Sequence, residues 1–114
     1  MAGEIPQQVR IGTLIAAVER VKKFPGKGKD AQAIDGQWLR NGNRLMVRDG
    51  LPRQYEQTIV LHETIHALLD RCGLNILLAE YNEHLEELLV CNLGEWLLDV
   101  IQTNPELVEY LTTV

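Results

Sequence analysis

Ile59-Val60-Leu61-His62-Glu63-Thr64-Ile65-His66-Ala67-Leu68 is the stretch that organises this chain, because it sets the pattern H-E-x-x-H inside an apolar run. On a helix, residues four apart share a face, so His62 and His66 can direct their imidazoles at one point. A tetrahedral zinc ion accepts two such neutral imidazoles. Glu63 is rotated by roughly 100° from His62, so it can miss the metal and still reach a water beside it. The pattern predicts a zinc site with His62 and His66 as ligands and Glu63 as general base.

The alternative to a metal site is a solvent-facing helix that carries the pattern by chance. Histidine is rare in the chain, with three in 114 residues, and two of the three stand in this motif. The residues around the motif are apolar, and unpaired polar groups on a buried helix face cost free energy. Metal ligation explains why two histidines and an acid would be kept on such a face, and it is the interpretation we favour.

Length and composition predict one domain over residues 1–114, and the strand and helix patterns described below make it an α+β domain. Hydrophobic residues make up 46% of the chain, enough for a core. The net charge of −5 argues against nucleic acid as a partner, because neutralising phosphates requires a basic surface. The N-terminus does not resemble a signal peptide, and no apolar run suits a membrane span. Cys72 and Cys91 are expected to be reduced thiols, so the expected location is the cytoplasm, with no membrane partner.

Local patterns place the secondary structure. Residues 9–21 fit either a strand or a helix. Asn41-Gly42 between apolar runs predicts a β-hairpin with a type I′ turn. A long helix is predicted from Pro52 to Cys72 and is ended by Gly73, followed by a connector and a second long helix from Asn82 to Thr103. Asn104-Pro105 predicts the start of a short last helix.

A catalytic zinc needs a third protein ligand, and the second long helix offers acidic candidates. Its apolar stripe is centred on Leu93 and is expected to face the core, together with Leu89, Trp96, Leu97 and Val100. Glu86 falls on that stripe, and metal ligation would justify burying it, so Glu86 is the predicted third ligand. Glu83 and Glu87 remain alternatives. Cys72 has the spacing of another zinc pattern, but Leu69 stands where that pattern requires glycine to turn the chain back.

A β-hairpin, an H-E-x-x-H helix and a helix bearing a glutamate form the minimal zincin core. The run Glu86-Glu87-Leu88-Leu89-Val90-Cys91-Asn92-Leu93, with Asn104-Pro105-Glu106-Leu107, resembles small phage and bacterial zinc metallopeptidases of the ImmA/IrrE type. The resemblance implies a small antiparallel sheet packed on the two long helices, and an extended chain from Val9 to Val21. It also implies His62 and His66 as zinc ligands, Glu63 as the catalytic glutamate, and Glu86 or its neighbour as the acidic ligand.

The expected function is zinc-dependent hydrolysis of a peptide or protein substrate, in the host cytoplasm if a phage encodes the chain. An edge strand of the hairpin can hold an extended substrate. Asp70 is a candidate for orienting His66, with a solvated acid at the helix end as the alternative, and Tyr81, His84, Tyr110 and the nearby arginines are candidates for stabilising an oxyanion. The rival hypotheses are a non-catalytic, zinc-stabilised interaction module and a metal hydrolase with a non-peptide substrate. The oligomeric state is left open.

Overall fold

The computed structural model describes residues 4–26 and 33–113, and in them the chain forms a mixed four-stranded sheet and four helices. The α+β class is therefore confirmed. The strands are β1 (Gln8–Ile11), β2 (Leu14–Val21), β3 (Gly36–Leu39) and β4 (Arg44–Arg48). The helices are α1 (Arg53–Cys72), α2 (Leu74–Tyr81), α3 (Leu85–Thr103) and α4 (Pro105–Thr112).

The sheet has the order β1-β2-β4-β3, and β2 and β4 run parallel, with Val18 opposite Leu45. The other two pairings are antiparallel, so the expectation of an antiparallel sheet was wrong for its centre. The parallel pairing arises because β4, and not β3, is the strand of the β3–β4 hairpin that lies next to β2. Because β4 takes the inner position beside β2, the hairpin leaves β3 as a free edge strand.

Residues 9–21 are extended, as the resemblance implied, and form most of β1 and β2 around a turn at Gly12, whose φ is +61°. The hairpin at Asn41-Gly42 is also confirmed, but its type I′ turn is not. The residues with positive φ are Gly42 and Asn43, and the Asn43 N–H donates to the Arg40 carbonyl at 3.3 Å. The Asn43 carbonyl accepts the Ala17 N–H from β2 at 2.9 Å, so pairing with a third strand constrains this loop.

The first long helix, α1, ends where predicted, at Gly73, whose φ of +82° only glycine adopts easily. The connector expected over 73–82 was wrong, because the apolar run Leu74–Tyr81 continues as the separate helix α2. Consequently α3 begins at Leu85, and the Asn82 side chain accepts the His84 N–H at 2.8 Å just before it. The start of α4 at Pro105, after Asn104, is confirmed.

Helix α1 is the centre of the fold, with the sheet against one side and α3 against another. Ile65 and Leu69 of α1 pack with Val90 of α3 in a buried cluster. Gly94 lies in the same interface, where an added Cβ would be 3.6 Å from the Ile65 side chain. Helix α3 therefore turns Val90 and Gly94 inward. The stripe around Leu93 faces outward instead, and Leu93 is 47% exposed, so the expectation that this stripe is core-facing was wrong.

No helix in the described ranges, 4–26 and 33–113, combines the length and apolar character that crossing a membrane requires.

Candidate metal centre

His62 and His66 bring their side chains together on one face of α1, as the motif predicted. Their Nε2 atoms are 3.3 Å apart, and the ring centroids are separated by 4.9 Å. Two nitrogens bound tetrahedrally to one zinc ion at about 2.0–2.1 Å would be separated by roughly this distance. The two imidazoles are thus arranged to share one cation.

Glu87 supplies the third donor group, from the first turn of α3. Its Oε1 lies 2.9 Å from Nε2 of His62, and its Oε2 lies 2.9 Å from Nε2 of His66. The Glu87 side chain is 58% exposed, so the cluster opens to solvent on this side. Two imidazole nitrogens and a carboxylate with an open side form the kind of donor set found at catalytic zinc sites.

Glu86, the ligand predicted from the sequence, lies on the other nitrogen of His66. Its Oε2 is 2.5 Å from His66 Nδ1, so this carboxylate fixes the orientation of the ring and directs Nε2 towards His62 and Glu87. Glu83, the third acid considered, is 84% exposed and pairs with His84 at 3.2 Å. The packing of α3 explains this division. Val90 faces α1 four residues after Glu86 and three after Glu87, so both of these acids reach the histidines.

Cys91 stands one turn after Glu87 and completes a group with His62 and Glu87, whose candidate donor atoms lie within 4.8 Å of one another. Its Sγ lies 3.5 Å from Glu87 Oε1. Burial, followed by the contact with Glu87, raises the pKa of the Cys91 thiol, which favours the protonated form. Cys91 is therefore placed to support Glu87. Cys72 is exposed at the end of α1, with its Sγ 3.6 Å from the Leu69 carbonyl oxygen, and it does not belong to this group.

Glu63 is the one buried ionisable side chain in the described parts of the chain, with 8% exposure. Its Oε2 lies 3.9 Å from His62 Nε2, and its carboxylate accepts a hydrogen bond from the backbone N–H of Trp38. Burial raises the pKa of Glu63 to about 7. Burial also lowers the pKa of His62, which favours the neutral imidazole that a metal requires.

The edge strand β3 lies directly against this part of α1. At Gly36 an added Cβ would be 2.5 Å from Ile59 Cγ2 and 3.0 Å from the Glu63 side chain, so only glycine permits the approach. The Arg48 N–H donates to the Asp35 carbonyl at 2.8 Å. Because inward and outward groups alternate along an antiparallel strand, the backbone groups of Gly36 and Trp38 point out from the free edge. One of them, the Trp38 N–H, meets Glu63.

The histidines, Glu63 and β3 line a cleft of about 690 Å³. Several pairs of side chains in this cleft were not predicted from the sequence. Tyr55 donates to Asp35 at 2.6 Å, and this bond, followed by burial, raises the pKa of Tyr55. Asp70 accepts the Trp38 indole N–H at 3.1 Å and an Asn75 amide N–H at 3.2 Å. No local pattern marks these pairs, because Asp35–Tyr55 and Trp38–Asp70 join residues distant in the chain.

The remaining sequence candidates lie away from the cleft. Tyr81 and Tyr110 are each 79% exposed, the His84 side chain is 77% exposed, and none of the three lines the cleft. The proposed partnership of Asp70 with His66 is not observed, since Asp70 holds Trp38 and Asn75 while Glu86 holds His66.

The chain matches no protein-family model, no curated protein and no solved structure. Its function therefore has to be inferred from the chemistry of the site.

Proposed function

We propose that this chain is a zinc-dependent peptide hydrolase in which His62, His66 and Glu87 hold the metal and Glu63 is the general base. One observation carries the proposal: two Nε2 atoms 3.3 Å apart, each 2.9 Å from an oxygen of the same carboxylate. Zinc is favoured over harder cations because the donor set combines imidazole nitrogens with one carboxylate. Glu87 therefore takes the role that sequence reasoning gave to Glu86.

A zinc ion bound here would act as a Lewis acid, which lowers the pKa of a water and polarises a carbonyl. Glu63 is placed to accept the proton of a water beside the histidines and to return it to a leaving amine. Burial raises the pKa of Glu63 to about 7 without the metal, and a zinc ion bound beside it would lower that pKa, so Glu63 would be ionised and able to accept a proton near neutral pH. The Trp38 N–H holds the Glu63 carboxylate in position, and Glu86 holds the ring of His66.

An extended peptide suits the cleft because β3 offers an unpaired edge along one wall. The Trp38 N–H is held by Glu63, so the outward groups left for a substrate strand are the N–H and carbonyl of Gly36 and the carbonyl of Trp38, which allow recognition by strand addition. Tyr55 lines the same cleft, and its hydroxyl would donate to a developing oxyanion if its single proton turned from Asp35 to the substrate. An edge strand over an H-E-x-x-H helix, with an acid from a following helix, supports a zincin-like packing of the ImmA/IrrE type.

The test compares wild type with Glu63→Gln on a fluorogenic peptide library, with zinc content measured on the same samples. General-base catalysis contributes roughly 10²–10⁴-fold, so the variant should lose at least a hundredfold in kcat/KM and keep its zinc. Glu83→Gln is the matched control, because Glu83 is also a glutamate near this end of α3 but is 84% exposed. It should keep both zinc and activity.

Two outcomes would contradict the proposal. If Glu63→Gln cleaves peptides as fast as wild type, Glu63 is not the base. If wild type binds zinc in equal molar amount but cleaves no member of the library, peptide hydrolysis is excluded and one of the two rivals, an interaction module or a hydrolase of a non-peptide substrate, replaces it.

A further inference from the structure

The outer side of α3 carries a regular apolar stripe that is partly exposed to solvent. Leu89, Leu93, Trp96 and Val100 follow one another at intervals of four, three and four residues, and they are 40%, 47%, 71% and 41% exposed. We call these four residues the outer stripe. A 4-3-4 spacing places them along one seam of the helix, as at the a and d positions of a coiled coil. Contiguous exposed apolar groups of this size mark interaction sites more often than free surface.

Charge along the chain is strongly divided, and the outer stripe lies in the acidic part. All eleven Lys and Arg residues fall within residues 1–71, whereas residues 72–114 contain eight Asp and Glu and no Lys or Arg. At roughly 100° per residue, Asp99 lies about 60° from Trp96, and Glu95 lies about 100° from it on the same side. Neither carboxylate has an ion-pair partner in the described ranges.

We propose that the outer stripe binds a basic amphipathic helix of a partner protein, with apolar residues at the seam and Lys or Arg beside it. Apolar seam positions provide the contact, and the flanking charges select the partner. In this register Asp99 lies beside the seam and would pair with a basic flank, whereas Glu95 lies further round the helix and would add to the negative charge that attracts the partner. This inference goes beyond the proposed hydrolase function and does not depend on zinc.

The same charges disfavour the other occupants of the stripe. In a symmetric pair of copies packed through this seam, Asp99 of one copy would find no Lys or Arg on the facing helix, because none follows Arg71. An anionic membrane surface would be repelled for the same reason. A basic helix is the occupant that satisfies both the seam and its flanks.

The binding test uses two labelled synthetic peptides of four heptads, each with Leu and Ile at the seam positions. One peptide has Lys at every flanking position and the other has Glu. Fluorescence anisotropy with the full chain should show at least tenfold tighter binding of the Lys peptide, and this preference should weaken as salt is raised from 0.05 to 0.5 M, roughly the range over which surface charges become screened. Equal binding of the two peptides, or binding of neither, would overturn the proposal.

Substitutions separate the seam from its flanks. Leu93→Asp with Trp96→Asp should weaken binding of the Lys peptide at least tenfold. Ile76→Asp is the matched control, because Ile76 is 63% exposed on α2 but lies outside the stripe, and it should leave binding unchanged. Glu95→Lys with Asp99→Lys should reverse the preference towards the Glu peptide. Circular dichroism and zinc titration should be the same in all variants, which keeps loss of fold distinct from loss of binding.

Sedimentation and vesicle assays test the competing occupants. The chain should be monomeric at tens of micromolar, and it should not bind phosphatidylcholine or phosphatidylserine vesicles. A dimer that Leu93→Asp with Trp96→Asp dissociates would assign the stripe to a second copy. Vesicle binding lost in the same variant would assign it to a membrane. Either result would overturn the basic-helix proposal.

Discussion

Helices α1 and α3 have nearly the same length, 20 and 19 residues, yet they meet the rest of the protein in different ways. Helix α1 is covered by the sheet on one side and by α3 on another, and Glu63, Ile65, Ala67 and Leu69 are buried along it. Helix α3 buries only Val90 and Gly94 among its described residues. The sequence of an apolar helix therefore does not reveal which of its faces packs against the core. On α3 the contact with α1 is made at the small residue Gly94.

The polar residues of the two helices differ in the same way: those of α1 have partners from other elements, whereas those in the later turns of α3 are exposed to solvent. On α1, His62 and His66 each have acidic partners from α3, and Glu63 has a backbone partner from β3. On α3, the acids of the first turn serve these histidines, whereas Glu95 and Asp99 further along stand in solvent. We read the start of α3 as part of the site and its later turns as a surface for a partner.

The largest expected effect contrasts one residue from each helix. Ile65→Ala should lower the free energy of unfolding by about 2–5 kcal/mol, because it leaves a cavity between α1 and α3. Leu93→Ala removes a half-exposed side chain and should cost less than about 1 kcal/mol. Denaturant unfolding of the metal-free monomer measures both. If Leu93→Ala costs as much as Ile65→Ala, the outer face of α3 is covered in the isolated chain and the contrast fails.

This contrast also shows what the sequence could and could not predict. The motif, with Gly73 as the helix end, was sufficient to predict α1 and the pairing of His62 with His66. The choice between Glu86 and Glu87 was not predictable, because adjacent residues differ by roughly 100° and the inward face of α3 was assigned from its larger apolar stripe. The packing of Val90 and Gly94 against α1 depends on contacts between helices, which periodicity along one helix does not contain.

Pairings between segments that are distant in the chain could not be predicted for a similar reason. The parallel pairing of β2 with β4, and the bond from Trp38 to Asp70 across 32 residues, bring together segments without any shared local signal. The hairpin and the last helix were predictable because Gly and Pro mark them within a few residues.

Zinc bound by the two histidines of α1 should raise the free energy of unfolding of the chain. At a free zinc concentration one hundred times Kd, binding to the native state adds about 2.7 kcal/mol to the free energy of unfolding. Thermal unfolding with zinc and with a chelator measures the difference. His66→Ala should abolish it, whereas His84→Ala, whose side chain is 77% exposed in wild type, should retain it. Equal stabilisation of both variants by zinc would place the metal elsewhere.

Two glycines test the close contacts on either side of α1. Gly36→Ala should destabilise the fold by about 1–3 kcal/mol and reduce hydrolysis, because the new methyl group would overlap Ile59 and crowd Glu63. Gly94→Ala should be neutral or stabilising by up to about 1 kcal/mol, since its Cβ meets Ile65 at an ordinary 3.6 Å and alanine favours a helix. Denaturant unfolding gives both values. The same sign for both substitutions would show that the two interfaces are not as described.

The smallest expected effect concerns the ion pair that joins the start of α1 to β2. Arg20 bonds both oxygens of Glu56 at 2.8 Å, and this contact lowers the pKa of Glu56 from 4.5. A lowered folded-state pKa stabilises the protein fully above the unfolded value, and this contribution is lost as the pH falls through the folded value. Glu56→Gln should therefore show a slightly lower Tm than wild type at pH 7, and the gap should close below pH 4.5.

Glu109→Gln is the control for that experiment, because Glu109 is exposed and has no ion-pair partner in the described ranges. Its Tm at pH 7 should equal that of wild type. The raised pKa of buried Glu63 makes stability change with pH in the opposite direction. This contribution is the same in wild type and in both variants, so it cancels when their Tm values are compared. If the difference in Tm between wild type and Glu56→Gln grew as the pH fell, the role assigned to Arg20 would be contradicted.

Anomalous diffraction at the zinc absorption edge, from crystals of the chain grown with zinc, tests the proposed centre most directly. We predict one strong peak between α1 and α3, about 2.0–2.2 Å from Nε2 of His62, Nε2 of His66 and a carboxylate oxygen of Glu87. Glu86 should remain on Nδ1 of His66. The absence of a peak there, or a peak ligated by Glu86 with Glu87 turned to solvent, would contradict the assignment.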